Sequence, residues 1–290
     1  MAETAIIDFP IIDSHVHLLD PKRLGYSWTS GAPSLNRLVL PADLMAVAAP
    51  VKIDGFVFVE VDVDLPQHVA EAEWIDDLAK TTPALKGSVA ALPLEQGRAV
   101  EADLERMAKL KSLRGIRRLI QNQPDPNFCI RPDFIAALKL LPAHDLVFDI
   151  CIFHHHLPNV IRMVEKCPEV RFVLDHIGKP GIKAGLIDPW RENMKTLAGF
   201  GNVTCKISGV ATEADHKAWT REQLKPYVAH AIEVFGFDRS MYGGDWHVSE
   251  LAIGYPEWVG LVAEVVAGAS AAEKRQLFRD TAIRVYRLDA

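Results

Sequence analysis

Ile11-Ile12-Asp13-Ser14-His15-Val16-His17 is an apolar run that ends in two histidines one residue apart. Side chains on a strand alternate faces, so this reading puts His15 and His17 on one face and Asp13 with them. Two imidazoles converging at one strand end are a natural half-site for a divalent metal. Taken alone, the stretch is read equally well as a half-buried strand with polar residues at its exit. The fold is decided by the pattern of the chain beyond His17.

From Ile6–His17 onward the chain alternates strand-like and helix-like segments. The strand candidates are 6–17, 55–60, 86–92, 113–119, 146–153, 170–174, 203–207 and 239–242. Between them, apolar residues recur at helical spacing, as in Val69, Ala72, Ile75 and Leu78, or Val100, Leu104, Met107 and Leu110. Asp188 reads as a helix cap, with Pro189 at the first helical position. Two helical stretches, 256–267 and 271–286, come after the last strand. Alternation at this pace implies parallel strands joined by crossover helices. Eight such units in 290 residues predict an α/β fold, a (β/α)8 TIM barrel in one domain spanning 1–290. A doubly wound open sheet is the alternative, but no Gly-rich phosphate turn succeeds the first strand.

Composition narrows the function. Hydrophobic residues make up 49% and charged residues 24%, with a net charge of −6, which argues against a nucleic-acid surface. No run approaches a membrane span, and the first ten residues lack the pattern of a secretion signal. The four cysteines form no Cys-x-x-Cys pair, and Cys151 and Cys205 sit in apolar runs. A cytoplasmic protein with reduced thiols is expected, acting as a monomer or homodimer on a small molecule.

Barrels place their active sites at the C-terminal ends of the strands. His15 and His17 end the first strand, His176 the sixth and Asp245 the eighth. Together they predict a single divalent metal site, zinc or another ion such as manganese, with Asp245 and His176 acting on the metal-bound water. His154 ends the fifth strand as first member of a His154-His155-His156 run and is expected to face the site. Glu60 at the end of the second strand is either a metal or substrate contact or a solvent-facing charge. Arg117 and Arg118 face opposite sides, and Arg117 is assigned to the mouth, where a guanidinium suits an oxygen-rich substrate. Lys206 is a substrate contact or a charge that snorkels to solvent. Tyr26, Trp28 and Trp246 are candidates for an apolar wall beside a ring-shaped substrate.

Asp13-Ser14-His15-Val16-His17, Leu174-Asp175-His176-Ile177-Gly178-Lys179-Pro180, Cys205-Lys206-Ile207-Ser208-Gly209 and Gly243-Gly244-Asp245-Trp246 occur here in the order seen in the amidohydrolase superfamily. As a set they most resemble its sugar-lactonase branch, the L-fucono- and L-rhamnono-lactonases. The similarity spans nearly the whole chain, including Arg117 and Thr212-Glu213-Ala214-Asp215. The resemblance implies a barrel hydrolase that opens a cyclic ester, with His15, His17, His176 and Asp245 around the metal and water site. His247 stands where relatives often carry proline, and His154 occupies a variable position; both bear on substrate. The pyrone-dicarboxylate lactonases also resemble this chain and work without metal, so the metal is not required by the motif. A non-oxidative decarboxylase shares the same histidine and aspartate set, and an inactive metal-binding barrel is the non-enzyme alternative.

Overall fold

The computed structural model describes residues 7–289. Ile6, where the sequence reading begins the first strand, lies outside the described residues, as does most of the N-terminal stretch expected not to be a signal. Eight strands run in sequence order around one sheet, each parallel to the next: β1 Ile11–Val16, β2 Ile53–Val59, β3 Leu85–Ala91, β4 Leu113–Leu119, β5 Val147–Cys151, β6 Arg171–Leu174, β7 Val203–Ile207 and β8 Ser240–Tyr242. The circle closes where the segment after β8 meets β1. Val16 and Trp246 form a parallel bridge, Asp245 N–H donates to the His15 carbonyl at 2.8 Å, and His17 N–H donates to the Trp246 carbonyl.

The helices are α1 Pro41–Ala48, α2 His68–Ala79, α3 Glu101–Met107, α4 Pro132–Leu138, α5 Leu157–Lys166, α6 Trp190–Ala198, α7 Arg221–Phe235, α8 Tyr255–Val265, α9 Ala271–Arg275 and α10 Thr281–Tyr286. Their apolar faces cover the outside of the sheet, where Phe56, Phe58, Ile116, Phe148, Phe172, Leu174 and Ile207 are buried. None of the helices among the described residues is long and apolar enough to cross a membrane. Asp188 does not cap α6: that helix begins at Trp190 with Pro189 before it, and no side chain caps it.

The barrel interior is layered. At the N-terminal end Ile12, Val57, Val59, Val89, Val147, Val173 and Met241 pack together, closed from below by Ala282, Tyr286 and Leu288. Above them the inward positions turn ionic. Lys206 of β7 is fully buried. Its ammonium donates to Asp149 Oδ2 of β5 at 2.6 Å, reaches Asp175 Oδ1 at 3.1 Å and meets His15 Nδ1 at 3.2 Å. Tyr286 Oη enters from α10 and donates to the same Asp149 oxygen at 2.7 Å. Lys206 is therefore neither a substrate contact nor a snorkelling charge. A central β7 position with its neighbours on either side gives the stem no route to water.

The first strand also departs from simple alternation. Asp13 pairs with Phe56 and Val16 with Phe58, so β1 uses three residues where β2 uses two. This bulge resets the facing. Ile12 points into the barrel, Asp13 points out, and His15 and His17 point in again. Asp13 accepts from Tyr255 Oη of α8 and from the Gly244 and His15 amides, and burial raises its pKa to about 6. It tethers the closing segment to α8 and does not join the histidines. A Cβ on Gly244 would lie 2.4 Å from Asp13 Oδ2, which is why glycine is needed there.

Replacing Lys206 by Met removes the one cation between Asp149 and Asp175 and leaves two buried carboxylates facing each other. Urea unfolding is expected to show a loss of about 3–5 kcal/mol for Lys206→Met, against about 1 kcal/mol for Tyr286→Phe, which removes a single hydrogen bond. Equal losses in the two variants would contradict the role given to the ammonium.

Candidate active site

At the C-terminal end of the barrel three imidazoles and one carboxylate converge. The His17 ring presents Nδ1 to the Val59 carbonyl at 2.8 Å, which makes Nδ1 the donor and leaves the Nε2 lone pair facing the site. His15 Nε2 lies 3.2 Å from His17 Nε2. His176 holds Ser208 Oγ at 2.9 Å through Nδ1 and directs Nε2 the same way. Asp245 Oδ1 completes the group at 3.4 Å from His17 Nε2, 3.7 Å from His15 Nε2 and 3.8 Å from His176 Nε2.

Local backbone geometry produces this convergence. Asp175 already faces inward, so strict alternation would turn His176 away. His176 instead adopts φ +54°, Ile177 comes next at +49°, and both Asp175 and His176 reach the axis. Asp245 lies at φ +53°. Left-handed backbone is costly for residues with a Cβ and collects at functional sites. Gly209, at φ +56°, lets this happen: a Cβ there would stand 2.5 Å from His176 Nδ1 and 3.0 Å from Asp245 Oδ2.

The electrostatics arise from burial. His176 is held neutral, its pKa lowered to about 4 chiefly by desolvation, against the pull of Asp245 and Asp175. His15 is lowered well below the usual value by burial and by Lys206. Burial pushes Asp245 upward, but the three imidazoles gathered around it outweigh that and hold it well below the usual carboxylate range. Asp175 is likewise held low against its burial by Lys206, His15 and Arg117.

The donor set fits a metal ion. Ligands about 2.1 Å from a tetrahedral ion stand about 3.4 Å apart, close to the separations around Asp245 and between His15 and His17. His15, His17 and Asp245 meet this condition together, and His15, Asp175 and His176 form an overlapping second group. Asp175, however, is engaged by Arg117 at 3.1 Å and by Lys206. Around the axis four carboxylates (Glu60, Asp149, Asp175 and Asp245) face two permanent cations, Arg117 and Lys206. With His15 and His176 neutral, a doubly charged cation would balance them.

The remaining expected residues divide. Arg117 lies at the pocket floor, but its guanidinium is committed to the Glu60 side chain, the Glu60 carbonyl and Asp175. Arg118 turns outward to Glu95. Glu60 is neither ligand nor solvent-facing: it is buried, accepts from Arg117 and from the Asp62 amide, and so fixes Arg117. His154 lies past the end of β5, on a 3-10 turn with its Nε2 against Gly181, and is not part of the pocket wall. β5 stops at Cys151, two residues short of the expected end, which swings the histidine run away. Trp28 lines the pocket, pinned by its indole N–H to the Val61 carbonyl at 2.7 Å. Trp246 and Tyr26 are buried elsewhere, Trp246 donating to Glu250. His247 is also buried, beside His17, and burial lowers its pKa to about 4.

The pocket above the histidines has a volume of about 380 Å3. Residues that the sequence pattern does not single out form much of its wall: Gln121, Phe153, Lys179, Glu213 and His216. For two of them a signal was present, since Lys179 closes the Asp175-His176 motif and Glu213 lies in Thr212-Glu213-Ala214-Asp215. All four cysteines are buried and unpaired, and Cys151 touches the pocket.

Comparison with known proteins agrees with this geometry. A family model described as amidohydrolase matches residues 12–288. An L-fucono-1,5-lactonase of Burkholderia ambifaria is 30% identical over 96% of both chains, and one of Burkholderia multivorans is 31% identical with the same coverage. A crystal structure of an amidohydrolase from Burkholderia multivorans with bound zinc superposes with a TM-score of 0.87 at 29% identity, covering 97% of this chain and all of that one.

Two outcomes test this site. Gly209→Ala is expected to lower kcat/KM at least tenfold in a protein whose circular dichroism is unchanged, because the new methyl displaces His176 and Asp245. Relative to His247→Gln, wild-type unfolding free energy should also fall as pH drops from 6.5 toward 4, by up to about 1.4 kcal/mol per pH unit, because the unfolded His247 takes up a proton in that window while the folded one does not. A difference between the two proteins that is independent of pH between 6.5 and 5 would contradict the neutral state of His247.

Proposed function

The chain belongs to the amidohydrolase family, and we propose that it opens the ring of a neutral sugar-acid lactone by adding water to the ester carbonyl. The observation that carries this reading is Asp245: one carboxylate, kept ionised among three imidazoles at the floor of the pocket. The lactonases at about 30% identity support the substrate class.

His15, His17 and Asp245 would hold the divalent ion, and zinc is favoured by the imidazole and carboxylate donors and by the zinc-bound relative. Such an ion lowers the pKa of a bound water to about 7 and polarises a carbonyl. The protein's own groups do the rest. Asp245 accepts the proton of the attacking water as its oxygen bonds to the carbonyl carbon. His176, fixed by Ser208, stands where charge builds on the carbonyl oxygen. As the ring C–O bond breaks, Asp245 returns the proton to the departing ring oxygen, and the product is a hydroxy acid.

Pocket charge favours a neutral substrate over a dicarboxylate. Arg117 is spent on Glu60 and Asp175, and Lys179 sits beside Gln121 and Glu213, while Asp62, Glu213 and Asp245 all line the wall. Proton release over a panel of aldonolactones, followed with a pH indicator, tests the reading. Wild type should turn over at least one of them, and Asp245→Asn should be slower by a factor of about 10²–10⁴. Full turnover by Asp245→Asn would remove the role given to Asp245. No turnover of any lactone by zinc-loaded wild type would remove the function.

A further inference from the structure

Lys179 and Glu213 face the pocket from the loops after β6 and β7, and neither takes part in the proton transfers of Asp245. Lys179 is set rigidly. Its backbone is left-handed at φ +46°, its N–H donates to the His176 carbonyl, and its own carbonyl accepts from the His154 amide. Its ammonium donates to Gln121 Oε1 at 2.7 Å and lies 5.5 Å from the centre of the Phe153 ring. One bond to Gln121 leaves two N–H donors for the pocket.

Glu213 closes a 3-10 turn, Ala211–Glu213, with its side chain only 16% exposed. Its carboxylate accepts no hydrogen bond from any described residue, although burial raises its pKa and a partner would be favourable. The nearest cation is Lys179, with Nζ 4.0 Å from Oε1. That gap is too long for a direct hydrogen bond. It is the span of two bonds of about 2.8 Å meeting at one oxygen, which cover about 4.0–4.6 Å for angles between a right angle and the tetrahedral one.

We propose that Lys179 and Glu213 form a hydroxyl-reading subsite, in which one ring hydroxyl of the substrate accepts from Lys179 Nζ and donates to Glu213. This rests on the lactonase reading and adds to it a residue pair that determines specificity. Only a group that donates and accepts at one atom fits between an ammonium and a carboxylate. A hydrogen, a methyl or a ketone leaves one of the two unpaired in a sheltered site, and sites built around a hydroxyl reject analogues lacking it strongly.

The test compares kcat/KM for a hydroxylated six-membered aldonolactone with that for δ-valerolactone, the same ring without hydroxyls. Wild type, Glu213→Gln and Lys179→Met are assayed side by side. In wild type the hydroxylated lactone should be preferred by at least about 100-fold. In each variant that ratio should fall at least tenfold, whatever the absolute rates, so partial loss of folded protein does not affect the reading. A ratio unchanged in both variants, or no preference in wild type, overturns the subsite and leaves lactone hydrolysis standing. Failure of wild type on every lactone overturns both.

Discussion

The buried ammonium of Lys206 is the contact on which the upper half of the barrel depends. It joins β5, β6, β7 and β1 through Asp149, Asp175 and His15, at the level where the apolar interior gives way to the site. An unpaired charge there would be prohibitively costly, so each group requires the others. Arg117 extends the network to β4 and β2 through Asp175 and Glu60. Six of the eight strands are thus tied at one level by charge as well as by their backbone ladder. The imidazoles above inherit fixed positions from that layer, because His15 is in it and His176 comes directly after Asp175.

This arrangement separates two jobs that are easily confused. Charged residues at strand ends look like chemistry, yet Lys206, Glu60, Asp149 and most of Arg117 are occupied with one another. The groups left to meet a substrate are fewer: the Nε2 atoms of the histidines, Asp245, and the wall that carries Trp28, Gln121, Lys179 and Glu213. The site is acidic as a whole and its cations are internally paired. That combination suits an electrically neutral molecule whose polarity lies in hydroxyl groups.

Much of this was legible in the sequence because barrels are periodic. Strand and helix alternate, the limits of β4 and β7 are as expected, and His15, His17, His176 and Asp245 stand at strand ends that the closed circle brings together. The parts that were not legible depend on departures from periodicity. The β1 bulge turned Asp13 outward, and a left-handed turn brought His176 to the same face as its neighbour Asp175. The early stop of β5 removed His154. The fate of Lys206 and Glu60 was hidden for a different reason. Whether a charged residue near a strand end meets solvent or a partner depends on facing strands distant in sequence, and one strand's pattern carries no record of them.

The hydroxyl of Tyr286 links this inner layer to α10. Asp149, Asp175 and Lys206 leave the ribosome well before it, since 80 residues separate Lys206 from Tyr286. During synthesis, then, His15, His17, His176 and Asp245 all precede the segment that closes the floor of the barrel. A nascent chain can pair its strands in order, but its ionic layer stays open to water from below until α10 docks. Closure of the barrel and drying of its charged interior are therefore late events in the life of the chain, waiting on a segment made long after the groups it seals in.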